Sequence, residues 1–484
     1  MGGIGQLRQQ VTIETLPDDV LLKIFKSFID SMELHGSASD EWHSLVHVCQ
    51  RWRYLASTSP RHLNLQVLCK LPTRSVKAML DIWPELPFCI YAVGSFPGTA
   101  ERGDCITALS LSHRVSGIRL ENTSDSAWEL FLSLMQRPFP ALTHLSVRPN
   151  YSIKNATKNS ICRSFLGGSA PSLRVLRLVW APFPALPELL LSAANLVRLW
   201  YDDVPRSGYI SPQAMVTGLS GLTRLESFSL TFPSPDSLPE RPIRITPPHT
   251  RTLIPALTDL RFRGDANYME DLVSQIDTPL LKSMMITLCY QEGLEVSQLA
   301  QFVRRADKLS SVDRAEVTFE SRSISVKLSQ ELLEERIDPK TLRLYPSCSE
   351  PYLRLSYLAQ FCASCLPNLV LFESLHICVS LYYRWEEIIV DPDPQWLELL
   401  RLFNPAKKLY LSKYVASRVA QALRGLPAER VMDVLPALEK VVILRLEHLE
   451  PVREAIYKFA DARRLSGHPV LIDDWKGGVY YGRS

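Results

Sequence analysis

The sequence predicts an α/β protein in which an α-helical segment near the N-terminus is followed by an irregular solenoid of short parallel strands alternating with helices. Two observations predict this class. Apolar residues recur at helical spacing in the N-terminal part of the chain. A short apolar motif then returns along the rest of the chain at steps of about 23 to 34 residues, a period typical of stacked strand and helix units.

Composition narrows the function classes. The chain has 484 residues, of which 46% are hydrophobic and 22% are charged, as in ordinary folded soluble proteins. Its 54 basic and 51 acidic residues give a formal charge of +3 without a basic run, so we expect no nucleic-acid or membrane partner. No stretch has the length and apolarity of a signal peptide or a membrane helix, so we expect a location in the cytoplasm, the nucleus or both.

The N-terminal segment, residues 16–69, is predicted to form two helices. Pro17 suits a first helical turn, and Asp18 and Asp19 place negative charge at the positive end of the helix dipole. Ser39 or Asp40 can cap the second helix. At helical spacing, one face of that second helix is expected to carry Trp42, Leu45, Cys49 and Trp52.

This segment resembles an F-box. The family pattern is met at Leu16, Pro17, Val20, Leu21, Ile24, Phe25, Trp42, Leu45, Val48, Cys49, Trp52 and Arg53. The resemblance implies that these residues, apart from Arg53, dock on the SKP-type linker protein of a cullin-RING ubiquitin ligase. The long loop between the helices and His62-Leu63, which replaces an aromatic residue, depart from the pattern. The alternative is an ordinary helical cap on the following domain.

The recurring motif consists of one apolar residue, two variable residues, an apolar residue, a variable residue and an apolar residue. It begins at Val115, Leu142, Leu173, Leu196, Leu225, Leu257, Leu281, Phe372, Ala406 and Leu438. The last two apolar residues of each copy are two apart, so on a strand they point the same way and the residue between them points outward. Helices are expected in the connecting segments, which predicts a degenerate leucine-rich-repeat-like solenoid.

The pattern divides the chain into a tail at 1–14, the F-box at 15–70, a connecting region that begins the solenoid at 71–114, a client-binding solenoid at 115–465 and a tail at 466–484. A proline-rich loop interrupts the solenoid at 232–255. The repeat register is lost between residues 309 and 372, where 315–319 and 323–328 predict a hairpin and 341–344 a further strand. An amphipathic helix at 451–465 is expected to cap the end of the stack.

Nearly the whole chain is similar to a large family of F-box proteins of mushroom-forming fungi. Besides the F-box, the similarity rests on the leucine-rich arcs, the helix at 396–400, the strand at 409–411 and the segment at 459–463. It implies a substrate-recognition subunit of an SCF-type ligase with no enzymatic activity of its own. The alternative is a leucine-rich-repeat-like scaffold that binds proteins without any ligase.

Catalytic and metal-binding patterns are weak. Cys362 and Cys365 have a pairing that zinc sites use, but a zinc site needs about four ligands, and Cys348, His376 and Cys378 are the only nearby candidates. The helical pattern around Cys362 favours small apolar thiols in a core. The ten cysteines are therefore expected to be reduced and mostly buried, with no metal, cofactor or catalytic residue.

The outward positions of the strands offer a binding surface. Several carry arginine, and arginines aligned on one sheet face suit a planar acidic or phosphorylated group of a protein client, with Trp200 as an apolar anchor. The candidate client-binding residues are Arg119, Arg148, Arg177, Arg198, Trp200, Arg261 and Arg263. The alternative is a solvated face whose arginines keep the protein soluble.

Overall fold

A computed structural model describes residues 13–33, 43–59, 63, 67–71, 86–94, 99–150, 160–233, 250–289, 296–306, 313–319, 324–329, 341–347, 355, 358–359, 362–363, 373–379, 393–444 and 450–475. The chain divides into two compact units, Met1–Leu176 and Arg177–Ser484. The predicted F-box segment and the first repeats belong to the first unit. No helix among the described residues has the length and apolarity needed to cross a bilayer.

The first unit begins with three helices, α1 (Asp18–Glu33), α2 (His43–Val48) and α3 (Gln50–Thr58). The prediction of one continuous second helix is wrong, because α2 ends at Val48 and α3 begins at Gln50, with Cys49 between them. This residue has an extended backbone, with φ −157° and ψ 172°, and its Sγ accepts a hydrogen bond from the backbone N–H of Trp52. Cys49 therefore caps a new helix instead of continuing the old one.

A parallel sheet follows in the first unit. Its strands lie in the order β1 (Val67–Leu71), β2 (Phe88–Val93), β3 (Val115–Thr123) and β4 (His144–Pro149). Helix α4 (Thr99–Ser110) connects β2 to β3, and α5 (Asp125–Leu134) connects β3 to β4. Strand β5 (Val175–Val179) contains the division between the units.

The second unit repeats the pattern of strand and helix. Its remaining strands are β6 (Arg198–Asp202), β7 (Ser227–Thr231), β8 (Thr252–Leu253), β9 (Asp259–Gly264), β10 (Ile276–Asp277), β11 (Ser283–Cys289), β12 (Arg314–Phe319), β13 (Ile324–Ser329), β14 (Thr341–Ser347), β15 (Ser374–Val379), β16 (Lys408–Leu411), β17 (Lys440–Leu444) and β18 (Leu471–Trp475). Its helices are α6 (Leu186–Leu190), α7 (Pro212–Leu219), α8 (Ala266–Gln275), α9 (Ser297–Arg305), α10 (Asp393–Leu402), α11 (Lys413–Arg424) and α12 (Glu450–Leu465).

The order of strands in the main sheet of this unit is β6-β7-β9-β11-β14-β13-β12-β15-β16-β17-β18. All neighbours pair in parallel except β13, which is antiparallel to both β12 and β14. The predicted hairpin and the further strand are confirmed. They do not end the sheet, because β14 pairs with β11 and β12 pairs with β15.

Every copy of the sequence motif coincides with a strand, which confirms the predicted period. The strands concerned are β3, β4, β5, β6, β7, β9, β11, β15, β16 and β17. The two apolar residues of a copy are buried together, as Leu260 and Phe262 are on β9, while Arg261 between them is exposed. The predicted α/β class with mostly parallel strands alternating with helices is therefore confirmed.

A ladder of backbone hydrogen bonds extends the pairing beyond the strand ends. Within the second unit, the backbone N–H of Thr258 donates to Glu226 O at 2.8 Å, and that of Lys282 donates to Thr258 O at 2.9 Å. Further along, Lys407 donates to Glu373 and Glu439 donates to Lys407 in the same way. Each repeat thus fixes the start of the next strand.

The C-terminal expectation needs a correction. Helix α12 forms where an amphipathic helix was predicted, but it does not end the stack. The chain turns at Gly467, which has φ +84°, and strand β18 then pairs in parallel with β17. Part of the stretch assigned as a tail is therefore a strand of the sheet.

Arg463 on α12 anchors the turn that precedes β17. Its side chain is fully buried, and its guanidinium donates to the backbone oxygens of Leu435, Pro436 and Leu438 at 3.0 to 3.3 Å. Leu435 has a left-handed backbone, with φ 48°, which an L side chain adopts at a cost. The arginine supplies a donor to these carbonyl groups, of which Leu435 O also accepts from the backbone N–H of Leu438 at 3.0 Å.

Replacing Arg463 with methionine is expected to lower the free energy of unfolding of this region by about 3 kcal/mol, because the carbonyls of Leu435, Pro436 and Leu438 lose the hydrogen bonds from a charged guanidinium. Hydrogen exchange of residues 435–444 measures the effect. Arg464→Met is the matched control, since Arg464 is exposed and forms only a surface pair with Asp461 at 3.1 Å. Equal exchange in the two variants would contradict the anchoring role.

Candidate interaction surfaces

The helices α1 and α3 close a small apolar core between them. The rings of Phe25 and Trp52 lie 4.7 Å apart at a 58° angle, and Leu21, Leu45 and Leu55 of the three helices are also buried. The helical spacing of Leu21 and Phe25 places both on one buried face of α1.

Arg51 fastens the start of α1 to α3. Its Nε donates to Asp18 Oδ1 at 3.0 Å, and its Nη2 donates to the backbone oxygen of Leu16 at 2.6 Å. The F-box pattern did not single out Arg51. Asp18, predicted as a helix-dipole residue, is thus also the partner of a specific ion pair.

The predicted docking residues differ in exposure. The buried members are Leu21, Phe25 and Leu45. The half-buried members are Leu16, Val20 and Trp52. The exposed members are Pro17, Ile24, Val48 and Cys49. Trp42 lies outside the described residues. Cys49 does not share a buried face with Leu45 and Trp52 as predicted, because it occupies the break between α2 and α3.

The exposed apolar members mark the outer surface of this segment. Ile24 is 41% exposed and Val48 is 58% exposed. Tyr54 and Ile13, which the pattern did not name, are exposed as well. Large aliphatic side chains at the surface are ordinary when single, but several on one small helical segment indicate a contact surface.

The outward arginines of the first unit are Arg119 and Arg148. Arg119 donates to Glu121 Oε1 at 2.7 Å, and its guanidinium lies 5.5 Å from the centre of the Tyr91 ring. Its charge is therefore largely balanced within the sheet. Arg148 is exposed on β4.

The outward residues of the second unit form ordered rows. Trp200, Ser229 and Arg261 are direct partners across β6, β7 and β9. Arg177 lies with its guanidinium 5.9 Å from the centre of the Trp200 ring. Arg261 pairs with Asp259 at 3.1 Å and remains 53% exposed.

The predicted orientation of these arginines is confirmed, since Arg177, Arg198 and Arg263 are exposed on the strands as well. Their use in binding stays a prediction. Two of the seven candidates, Arg119 and Arg261, already hold a carboxylate on their own strand. An incoming acidic group would compete with these local pairs.

Sequence reasoning missed a charged cluster on the strands β12, β13 and β14. It contains Arg314, Glu316, Lys327 and Arg343, which lie in or beside one register row. The opposition of Glu316 and Lys327 follows from the predicted hairpin, whereas that of Lys327 and Arg343 depends on the pairing of β13 with β14, which the repeat pattern does not indicate. The available signal was the alternation of buried and polar residues in 314–319 and 324–329.

The cysteine pair does not gather metal ligands among the described residues. Cys362 is buried, and burial raises the pKa of its thiol to about 12. Cys348 and Cys365 lie outside the described residues. Cys378 forms a 3.3 Å contact with Thr318 Oγ1, and His376 stacks on Tyr410 at 4.1 Å. In the described part of the chain, no group of three His, Cys, Asp or Glu side chains could hold a metal ion.

No protein-family model matches the chain, and no curated protein matches it. Among solved structures, the chain is similar to the leucine-rich repeat-containing protein LegL7 from Legionella pneumophila. The identity is 13%, the TM-score is 0.27, and the alignment covers 85% of this chain and 99% of LegL7.

His376 predicts a pH dependence of stability. Burial, aided by the nearby charge of Arg314, lowers the pKa of its imidazole to about 3, below the ordinary value of 6.5. Between about pH 6.5 and pH 3 the unfolded chain binds a proton that the native chain excludes. The free energy of unfolding therefore falls with falling pH, by up to about 1.4 kcal/mol per pH unit from this residue.

His376→Phe removes this titration and keeps an aromatic ring against Tyr410. Urea unfolding at pH 7, 6 and 5 should show a smaller loss of stability with falling pH in the variant than in the wild type. Equal losses in both proteins would contradict the assignment.

Proposed function

We propose that the chain is the substrate-recognition subunit of an SCF-type cullin-RING ubiquitin ligase, acting in the cytoplasm or nucleus. The N-terminal helices dock on an SKP-type linker protein, which connects them to the cullin core. The strand face holds a protein client for ubiquitin transfer by the other subunits, so the chain itself is not an enzyme and uses no cofactor.

The observation that carries this proposal is the exposure of Ile24 and Val48 on helices whose own core is already closed. The rings of Phe25 and Trp52 pack against each other, whereas Ile24 and Val48 are exposed to solvent. Burial of such side chains against a partner favours association, because it removes apolar surface from water. Both positions belong to the F-box pattern.

The Arg51 contacts support docking in a second way. They fix the N-terminus of α1 relative to α3 through the carboxylate of Asp18 and the backbone of Leu16. A surface that is held in place before binding loses less conformational entropy when it binds. Leu16 and Pro17, both in the F-box pattern, lie at this fixed end.

The strand faces support the client-binding part of the proposal. Their outward side chains, among them Trp200, Arg198 and Arg263, include aromatic and guanidinium groups of the kind enriched in protein interfaces. The rival function, a scaffold that binds proteins without a ligase, rests on the same faces. Co-purification of the linker protein and cullin with the full chain separates the two functions.

Docking predicts that Ile24→Asp and Val48→Asp each weaken binding of purified SKP-type linker protein at least tenfold, because each change places a charge in an apolar contact. Binding is measured by biolayer interferometry with the full chain. Ile106→Asp is the matched control, since Ile106 is also an exposed helical isoleucine of the first unit, at 44% exposure.

The control should bind like the wild type, and the thermal unfolding of all variants should be alike. Retention of full affinity in both Ile24→Asp and Val48→Asp would overturn docking through this surface. Failure of the wild-type chain to bind the linker protein would favour the scaffold.

A further inference from the structure

Strands β12, β13 and β14 lie in the region where the repeat register is lost, and they are called the inserted strands here. They place basic side chains directly opposite each other. Arg343 on β14 is the register partner of Lys327 on β13, and Lys327 is the partner of Glu316 on β12. Their strand neighbours Leu342, Val326 and Val317 are buried, so the charged residues share the face opposite the core.

Within the described strands, the carboxylate of Glu316 lies close to two of these cations. Glu316 Oε2 lies 3.5 Å from Arg314 and 4.0 Å from Lys327, and both Arg314 and Glu316 are only 15% exposed. Burial lowers the pKa of the Lys327 ammonium, and the charges of Arg343 and Arg314 lower it further, whereas Glu316 raises it. Like charges placed opposite each other on neighbouring strands destabilise the pair, and an added anion relieves that repulsion.

The basic face continues across the parallel strands. Met285 on β11 pairs with Arg343 on one side and with Arg261 on the other. Neighbouring strands lie about 4.8 Å apart, so Arg261, Arg343 and Lys327 mark a strip about 14 Å long. On the outward face of these described strands, the cations are Arg261, Arg263, Arg314, Lys327 and Arg343, and the carboxylates are Asp259 and Glu316.

We propose that this strip binds an acidic segment of a protein client in an extended conformation, with carboxylates placed over Lys327, Arg343 and Arg261. The inference rests on the proposed role of the strand face as the client-binding surface and assigns the chemistry of the client. The sequence predicted that the client binds to the arginines of the regular repeats, whereas this inference places most of the binding on the inserted strands.

The arrangement favours an acidic peptide over other anions. An extended chain presents side chains of one face about every 6.6 Å, so two or three alternate acidic residues match a strip of about 14 Å. A single phosphate would occupy one end and leave the other cations unbalanced. The near-neutral chain, with a formal charge of +3, lacks the broad field expected of a nucleic-acid or membrane binder.

The test uses the full chain and fluorescein-labelled ten-residue peptides in anisotropy titrations at low salt. The probes are an alternating Glu-Ser peptide, its Gln-Ser counterpart, a peptide with one phosphoserine and a short DNA duplex. We expect the Glu-Ser peptide to bind at least tenfold more tightly than each other probe, with an affinity that falls as salt rises.

The variant K327E/R343E should weaken binding of the Glu-Ser peptide at least tenfold. The control K413E/K458E makes the same change in net charge at exposed lysines on α11 and α12 and should change affinity less than about twofold. If K327E/R343E fails to fold by circular dichroism, K327Q/R343Q replaces it, with at least a threefold loss expected.

Equal loss of affinity in the variant and the control would overturn the proposal, as would tighter binding of the phosphoserine peptide or the DNA duplex. No measurable binding of the Glu-Ser peptide by the wild type would also overturn it. The same preparations are tested for binding to the linker protein, which involves the first unit. If the wild-type chain binds the Glu-Ser peptide but not the linker protein, ligase docking is contradicted and the proposal of an acidic client is supported.

Discussion

The fold depends on one constraint, which is that a single strand and helix cannot bury their own apolar face. On β9, which lies between β7 and β11, Leu260 and Phe262 point to the same side and are buried, and the ring of Phe262 packs on Tyr268 of α8 at 5.8 Å. The backbone ladder that joins Glu226, Thr258 and Lys282 locks these neighbours in register. Once register is set, every residue between two buried positions faces outward, and the sheet acquires its polar face.

Much of this was predictable from the sequence because the signal is local. Apolar residues two apart identify strands whatever lies elsewhere, and the helical spacing of Leu21 and Phe25 identifies α1. The end of a helix within an apolar pattern was harder to predict. The break at Cys49 arises from a thiol that accepts a backbone hydrogen bond, an interaction that the apolar pattern does not reveal. Strand β18 was missed because its exposed Leu471 and Asp473 conceal the alternation of a buried strand.

The candidate surfaces show the same division between local and distant information. Outward placement of Arg177, Arg198 and Arg263 follows from the motif alone. Opposition of Lys327 and Arg343 does not, since it requires the pairing of β13 with β14 and of β14 with β11. Likewise Arg51 meets Asp18 only because two helices separated in sequence pack together. The outward placement of side chains within a repeat could be predicted, but the pairing of β14 with β13 and β11 could not.

The position of β14 next to β11 affects how the sheet can assemble. In the regular repeats each new strand adds to the edge formed by the one before it, so growth can follow the order of synthesis. At β11 that order fails, because the next strand made, β12, is the third strand from β11, beyond β14 and β13, and β14 pairs with the edge of β11. A nascent chain therefore keeps an open edge at β11 until the whole hairpin and β14 have emerged. During this interval the open edge of β11 can pair wrongly with another chain.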